Sequence, residues 1–183
     1  MREPEPDTIR RARTGDLRAF ESLVRDYQAD VWRFAYHLTR SRTVAEDVTQ
    51  EAFLKAFRSI ASFRGDAKFS SWLLRITRNC AFDAYRRTRH EGPVQDDVLA
   101  ALSAERRPGQ PEGPEERLRL SAAVRSLPLE LREPFVVIEI LGFDYREAAA
   151  ILGVKLGTIK SRMHRARAAL VRSLREVEAA GEM

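Results

Sequence analysis

FDYREAAAILGVKLGTIKSRMHRARAAL, residues 143–170, divides at a glycine into two helical patterns of different character. The first, 145–152, is rich in alanine, as a helix must be where another crosses it closely. Gly153 follows its last apolar residue, where a left-handed C-terminal cap is least strained. Gly157 and Thr158 open the second pattern, with Thr158 placed to serve as its N-cap. With Ile159 as origin, Met163, Ala166, Leu170 and Leu174 share one apolar stripe. Lys160, Ser161, His164 and Arg165 point the other way. Between Lys155 and Arg175 there are seven Lys/Arg and no Asp or Glu. Ala149, Gly153 and Ile159 have the spacing of a tight crossing. An amphipathic helix with an all-positive free face, held after a tight turn, suits the DNA major groove. The competing reading is a solvated basic helix in an ordinary bundle.

The remaining chain is read outward from this pair. Its 183 residues carry 44% hydrophobic residues and a net charge of +5, with pI near 9.8. That modest excess is unevenly placed: residues 91–117 hold seven acids against three arginines. Segregated charge of this kind fits a polyanionic partner. A single cysteine, Cys80, excludes an internal disulfide and a Cys-based zinc site. It reads as a small core residue, with a redox sensor as the lesser alternative. The N-terminus lacks an apolar core, and no run approaches 18 apolar residues, so neither a signal peptide nor membrane insertion is expected. A cytoplasmic location follows as the expectation.

Periodicity predicts an all-α chain of two small helical domains. The first spans 8–90, with helices at 19–38, 43–60 and 70–89; Asp16, Thr43 and Ser70 stand near their starts. Gly92, Pro93, Pro108, Gly109, Pro111, Gly113 and Pro114 make 91–114 read as a flexible acidic linker, with room for a short helix over 98–104. The second domain, 115–178, has helices at 118–127 and 131–141 before the helix-turn-helix.

Two constellations in the first domain carry chemistry, and a lone amide accompanies them. On the 43–60 helix, Asp47, Gln50, Glu51 and Leu54 lie on one face opposite Val44, Val48 and Ala52, with Phe57 adjoining. Apolar residues interrupting an acidic face fit either a docking surface for a partner helix or a contact within the domain. In FRGDAKFSSWLLRITRNCAFDAYRR (63–87), the aromatics Phe63, Phe69, Trp72 and Tyr85 interleave with Arg64, Lys68, Arg75, Arg78, Arg86 and Arg87. Cations neutralise phosphates and aromatic faces stack on unpaired bases, at ~1–3 kcal/mol each, which suits single-stranded DNA. Trp72 fits a core position equally well. Asn79 can both donate to and accept from the edge of an extruded base, although such an amide is often merely solvated.

These motifs, taken in order, carry a resemblance. DVTQEAFLKAF (47–57), SFRGDAKFSSWLLRITRN (62–79), LPLELREPF (127–135) and the helix-turn-helix resemble the group IV, or extracytoplasmic-function, sigma factors of the bacterial sigma-70 family. The likeness covers about residues 10–90 and 115–176. It implies a region-two domain for the promoter −10 element, a tether, and a region-four domain for the −35 element, both held on core RNA polymerase. It further implies that Asp47, Gln50, Glu51, Phe53 and Leu54 dock on polymerase, with Phe53 acting from beneath. Arg64, Lys68, Phe69, Trp72, Arg75, Arg78, Asn79 and Arg86 would meet −10 DNA. Thr158, Lys160, Ser161, Arg162, His164, Arg165 and Arg167 would meet −35 DNA. Members of this branch commonly answer to an anti-sigma factor.

The expected activity is binding rather than catalysis, with no cofactor and no metal. His37, His90 and His164 are far apart in sequence, and there is no Gly-rich phosphate loop. The rival is a helix-turn-helix regulator that reads DNA through 144–170 alone and never binds core polymerase.

Overall fold

The structure is a computed structural model that describes residues 1–88 and 113–181. Its described residues are helical and contain no strand. The N-terminal block comprises α1 (Pro6–Arg13), α2 (Leu17–Thr39), α3 (Arg42–Ser59), a 3₁₀ turn (Ile60–Ser62) and α4 (Phe69–Thr88). The C-terminal block comprises α5 (Pro114–Ser126), α6 (Leu129–Phe135) running into a π-helical turn (Val136–Ile140), α7 (Tyr145–Leu152) and α8 (Leu156–Gly181). Residues 89–112, with most of the expected linker and its short helix, lie outside the described residues.

Helical periodicity builds the first core. Leu23, Tyr27, Val31, Phe34 and Leu38 recur every three or four residues on α2, and all are buried. Small residues on α3 (Ala45, Ala52 and Ala56) let it approach α2 and α4 closely. Asp16 caps α2 by accepting from the Arg18 and Ala19 N–H groups at 3.0 and 3.2 Å. Thr43 stands in the first turn of α3, as expected, and the cap is Ser41, whose hydroxyl accepts from the Val44 N–H at 3.4 Å.

Ser70 lies in the first turn of α4, and the N–H groups of Phe69 and Ser70, which have no partner within the helix, donate to the Glu3 carboxylate at 2.8 and 3.2 Å. The Ser70 hydroxyl donates to the same carboxylate. A residue 66 positions upstream thus satisfies the helix terminus.

In the C-terminal block, Pro134 sits within α6 and supplies no N–H, and the helix widens into the π turn directly after it. Asp144 and Glu147 form a reciprocal capping box at the start of α7, with bonds of 2.7 and 2.8 Å into Asp144 and 2.8 Å back from its N–H. Gly153 closes α7 in the left-handed region at φ 66°. Thr158 is not the N-cap of α8. The helix begins at Leu156, and the Lys155 carbonyl accepts from Thr158 and Ile159.

The two blocks pack together, α4 against α7 and α2 against α6. Their junction is built from arginines. Arg40 reaches from α2 to the Arg125 and Leu127 carbonyls at the end of α5. Arg132 donates to the same Arg125 carbonyl at 2.8 Å, and Arg125 to the Tyr36 hydroxyl at 3.4 Å. His37 is buried here; burial, and then Arg132, Arg33 and Arg125, push its imidazole down to about 3. No helix among the described residues is long and apolar enough to cross a membrane.

Candidate nucleic-acid interface

The apolar stripe of α8 forms as the sequence predicts. Ile159, Met163, Ala166 and Leu170 are buried, whereas Lys160, Ser161, His164 and Arg165 are exposed. Across the turn α7 packs on α8, with Ala148, Ile151 and Leu152 buried and Ala149 only half-buried. Ser161 donates to the Thr158 carbonyl at 3.0 Å, which leaves its oxygen as an acceptor. Arg165 has Glu130 at 3.8 Å, a loose and exposed pair. Arg162 is half-buried, and Arg167 is tied to Glu139 of the π turn at 2.7 Å.

On α4 the aromatics behave differently from a stacking platform. Phe63 and Phe69 are buried, at 7% and 1% exposure, and Trp72 is half-buried between them. Ring centroids lie 5.1 Å apart for Phe63–Trp72, 5.5 Å for Phe69–Trp72 and 5.4 Å for Tyr27–Phe69. Phe69 therefore offers no face to a base. The loop reverses at Gly65, φ 81°, so its two phenylalanines meet underneath while Arg64 to Lys68 project above.

The polar face of α4 carries Arg75, Arg78, Asn79, Phe82 and Arg86 at helical spacing. Arg78, Asn79, Phe82, Asp83 and Arg86 line a surface cavity of about 330 Å³. The Arg78 guanidinium lies 4.6 Å from the Phe82 ring centre. Phe82 and Asp83 escaped the sequence reading, though both continue the register of Arg78 and Asn79. Arg86 holds the Asp83 carboxyl below its usual range, with Lys55 adding to the effect at 3.4 Å. Arg78 and Lys68 are both ion-paired across the block junction, to Glu133 and Glu147.

The third face is on α3. Asp47 and Gln50 are exposed, and beside them Leu54 and Phe57 are 57% and 43% exposed. Phe57 touches Phe20 edge-on at 5.1 Å, so the internal contact exists but covers only part of the ring. Phe53 is buried beneath. Glu51 is committed to Lys55 and Arg87 at 3.0 and 3.1 Å, which hold its carboxyl low.

Residues 23–91 match the family Sigma-70 region 2, and residues 117–170 match Sigma-70, region 4. The RNA polymerase sigma-H factor of Pseudomonas aeruginosa is 32% identical over 94% of each chain. The chain belongs to the sigma-70 family. Within it the extracytoplasmic-function branch is shown by such relatives as the sigma-E factor of Escherichia coli (strain K12), 37% identical over 88% of this chain and 90% of that one. The sigma factor SigE of Mycolicibacterium smegmatis is 41% identical over 84% of this chain, which spans 62% of that relative's length. The solved structure of the sigma factor RpoE from Bartonella quintana, in complex with the anti-sigma factor NepR, superimposes with a TM-score of 0.71. It is 30% identical and covers 87% of this chain and 98% of that one. The α8 face thus lies in region four, and the α3 and α4 faces in region two.

Proposed function

We propose that this sigma factor joins core RNA polymerase through the α3 face and directs it to a two-part promoter. Asp47, Gln50, Leu54 and Phe57 form the polymerase contact, Phe53 supports it from below, and Glu51 is positioned by Lys55 and Arg87. On α8, Lys160, Ser161, His164 and Arg165 read the −35 major groove, and Arg162 and Arg167 lie beside its phosphates. The exposed loop Arg64–Lys68 and the α4 row Arg75, Arg78, Asn79 and Arg86 hold the separated −10 strand. Interactions made only with the separated strand favour melting by that differential affinity. The chain acts by binding, and nucleotide chemistry belongs to the polymerase. The complex of its solved relative with NepR supports an anti-sigma partner here as well.

The observation that carries this reading is the apolar surface of Leu54 and Phe57, left open beside Asp47 and Gln50. A DNA reader that never binds polymerase has no use for it. In a pull-down with core polymerase, the wild-type chain should be retained and an Asp47→Ala/Gln50→Ala variant lost, at an unchanged thermal midpoint. Retention of both, or unfolding of the variant, would return α3 to a purely structural role.

A further inference from the structure

The loop Arg64–Lys68 is exposed along its whole length, and its own backbone does little to hold it. Among the described residues its one backbone bond is at its end, where the Lys68 carbonyl accepts from the Trp72 N–H at 3.1 Å. Lys68 directly precedes α4, but a lysine side chain has no acceptor to offer a helix start. The acceptor comes from far away in the chain. Glu3 takes the N–H groups of Phe69 and Ser70 at 2.8 and 3.2 Å, and the Ser70 hydroxyl donates to the same carboxylate. An anion at this place also meets the positive end of the helix dipole.

Glu3 is itself held. Pro4 restricts it to extended backbone. The Arg2 carbonyl, next to it, accepts from the Tyr27 hydroxyl. Tyr27 is buried, and its ring meets Phe69 edge-on at 5.4 Å. The N-terminal segment and the rings under the loop therefore form one assembly. The rings carry the loop from below, and the Glu3 carboxylate fixes the point where it enters α4.

We propose that Glu3 is a positioning residue for the −10 strand: its carboxylate sets the junction of the loop with α4, and so the direction in which Arg64 and Lys68 project. The proposal rests on the assignment of this loop to the −10 strand. Its sign separates it from a plain surface charge. An acid that merely stands near the strand repels phosphates, so removing it strengthens binding. Removing a positioning acid weakens binding, because the competent loop becomes a smaller part of the population.

The test measures open-complex formation by the reconstituted holoenzyme on its preferred promoter, with core-polymerase binding and the thermal midpoint on the same proteins. Glu3→Ala should lose roughly fivefold, as when the competent loop falls to about a fifth of the population, with polymerase binding unchanged. Glu3→Gln should recover most of the loss, since its amide accepts from an N–H and donates to the Ser70 oxygen. Asp16→Ala is the control: it removes an acid that caps α2 through a similar pair of N–H groups. It should cost comparable stability and leave open-complex formation unchanged. A gain or no change in Glu3→Ala overturns the proposal, as does an equal loss in Asp16→Ala or no recovery in Glu3→Gln. If Glu3→Ala does not fold, Ser70→Ala decides, because it deletes one of the bonds to Glu3 from within α4. A loss of about twofold there supports the proposal, and no loss overturns it. Arg64→Ala/Lys68→Ala separates the two readings. Normal opening by that variant sinks the −10 assignment of the loop, whereas failure of that variant beside normal opening by Glu3→Ala sinks only the positioning role.

Discussion

Helices α8 and α4 carry similar residues, arginine and lysine around one or two uncharged polar groups, but the fold treats them differently. On α8 the cations stand on the free side of a helix whose apolar stripe is fully used, and Lys160, His164 and Arg165 face solvent. On α4 and its preceding loop, Lys68, Arg78 and Arg86 are paired with acids and the aromatics are packed inward. A face made by one helix needs only that helix to be correct. A face made where a loop, a helix and a second block meet depends on contacts far apart in sequence.

The sharpest way to break this comparison is Phe69→Ala. Phe69 touches Tyr27, Phe63 and Trp72 and is 1% exposed. Its truncation should lower unfolding free energy by about 3–5 kcal/mol, read by chemical denaturation. A variant of normal stability that binds the −10 strand poorly would mean that Phe69 stacks on a base and the buried cluster is wrong.

The opposite behaviour is expected of Arg165→Ala. Loss of a bidentate base contact should cost up to about 3 kcal/mol on the preferred −35 sequence and blur discrimination at one position, with stability unmoved. Its pair with Glu130 is exposed and long, so little of the fold depends on it. Equal losses on every −35 variant would reduce Arg165 to a phosphate contact.

His37 tests the junction between the two regions. Folded, its imidazole is depressed to about 3, facing Arg33 on its own helix, Arg125 on α5 and Arg132 on α6. Unfolded, it titrates near the ordinary value of about 6.5. The unfolded chain therefore takes up the proton first, and the neutral imidazole's contribution is whole above that value and shrinks as pH falls toward 3. Between pH 7 and pH 5 stability should drop by roughly 2 kcal/mol from this group. Denaturation of His37→Gln over the same range should show a flatter dependence; identical slopes would place the titration elsewhere.

What could be read from the sequence follows the same division. The helix-turn-helix was legible because its signals are local: Gly153 in its left-handed cap and the stripe Ile159, Met163, Ala166, Leu170. Leu54 and Phe57 were legible as a question, since residue spacing cannot tell an open face from one covered by another helix. Phe69 was misread because interleaved aromatics and cations look alike whether the rings point out or in. The Glu3 cap on α4, the π turn after Pro134 and the arginine junction were hidden, each depending on a distant partner or a local distortion. Phe82 and Asp83 lie one turn from Arg78 and Asn79, but the cavity they share exists only in the fold.

The smallest expected effect is on the residue where the two regions differ most in kind. Asn79 is exposed on α4 and lines the cavity with Phe82 and Asp83. Unlike Arg78 it is not ion-paired. One neutral hydrogen bond contributes about 1 kcal/mol, and that energy appears only once a base is extruded. Asn79→Ala should therefore leave −35 duplex binding intact and lower open-complex formation about fivefold, at one −10 base only, since an amide distinguishes base edges. Permanganate footprinting on duplex and pre-melted templates separates this from Lys68→Ala. For the lysine, whose role is electrostatic, pre-melting should restore much of the activity. For Asn79→Ala the base preference should stay lost on both templates. If Asn79→Ala follows the wild type at every −10 variant, the cavity on α4 is not where the base is read.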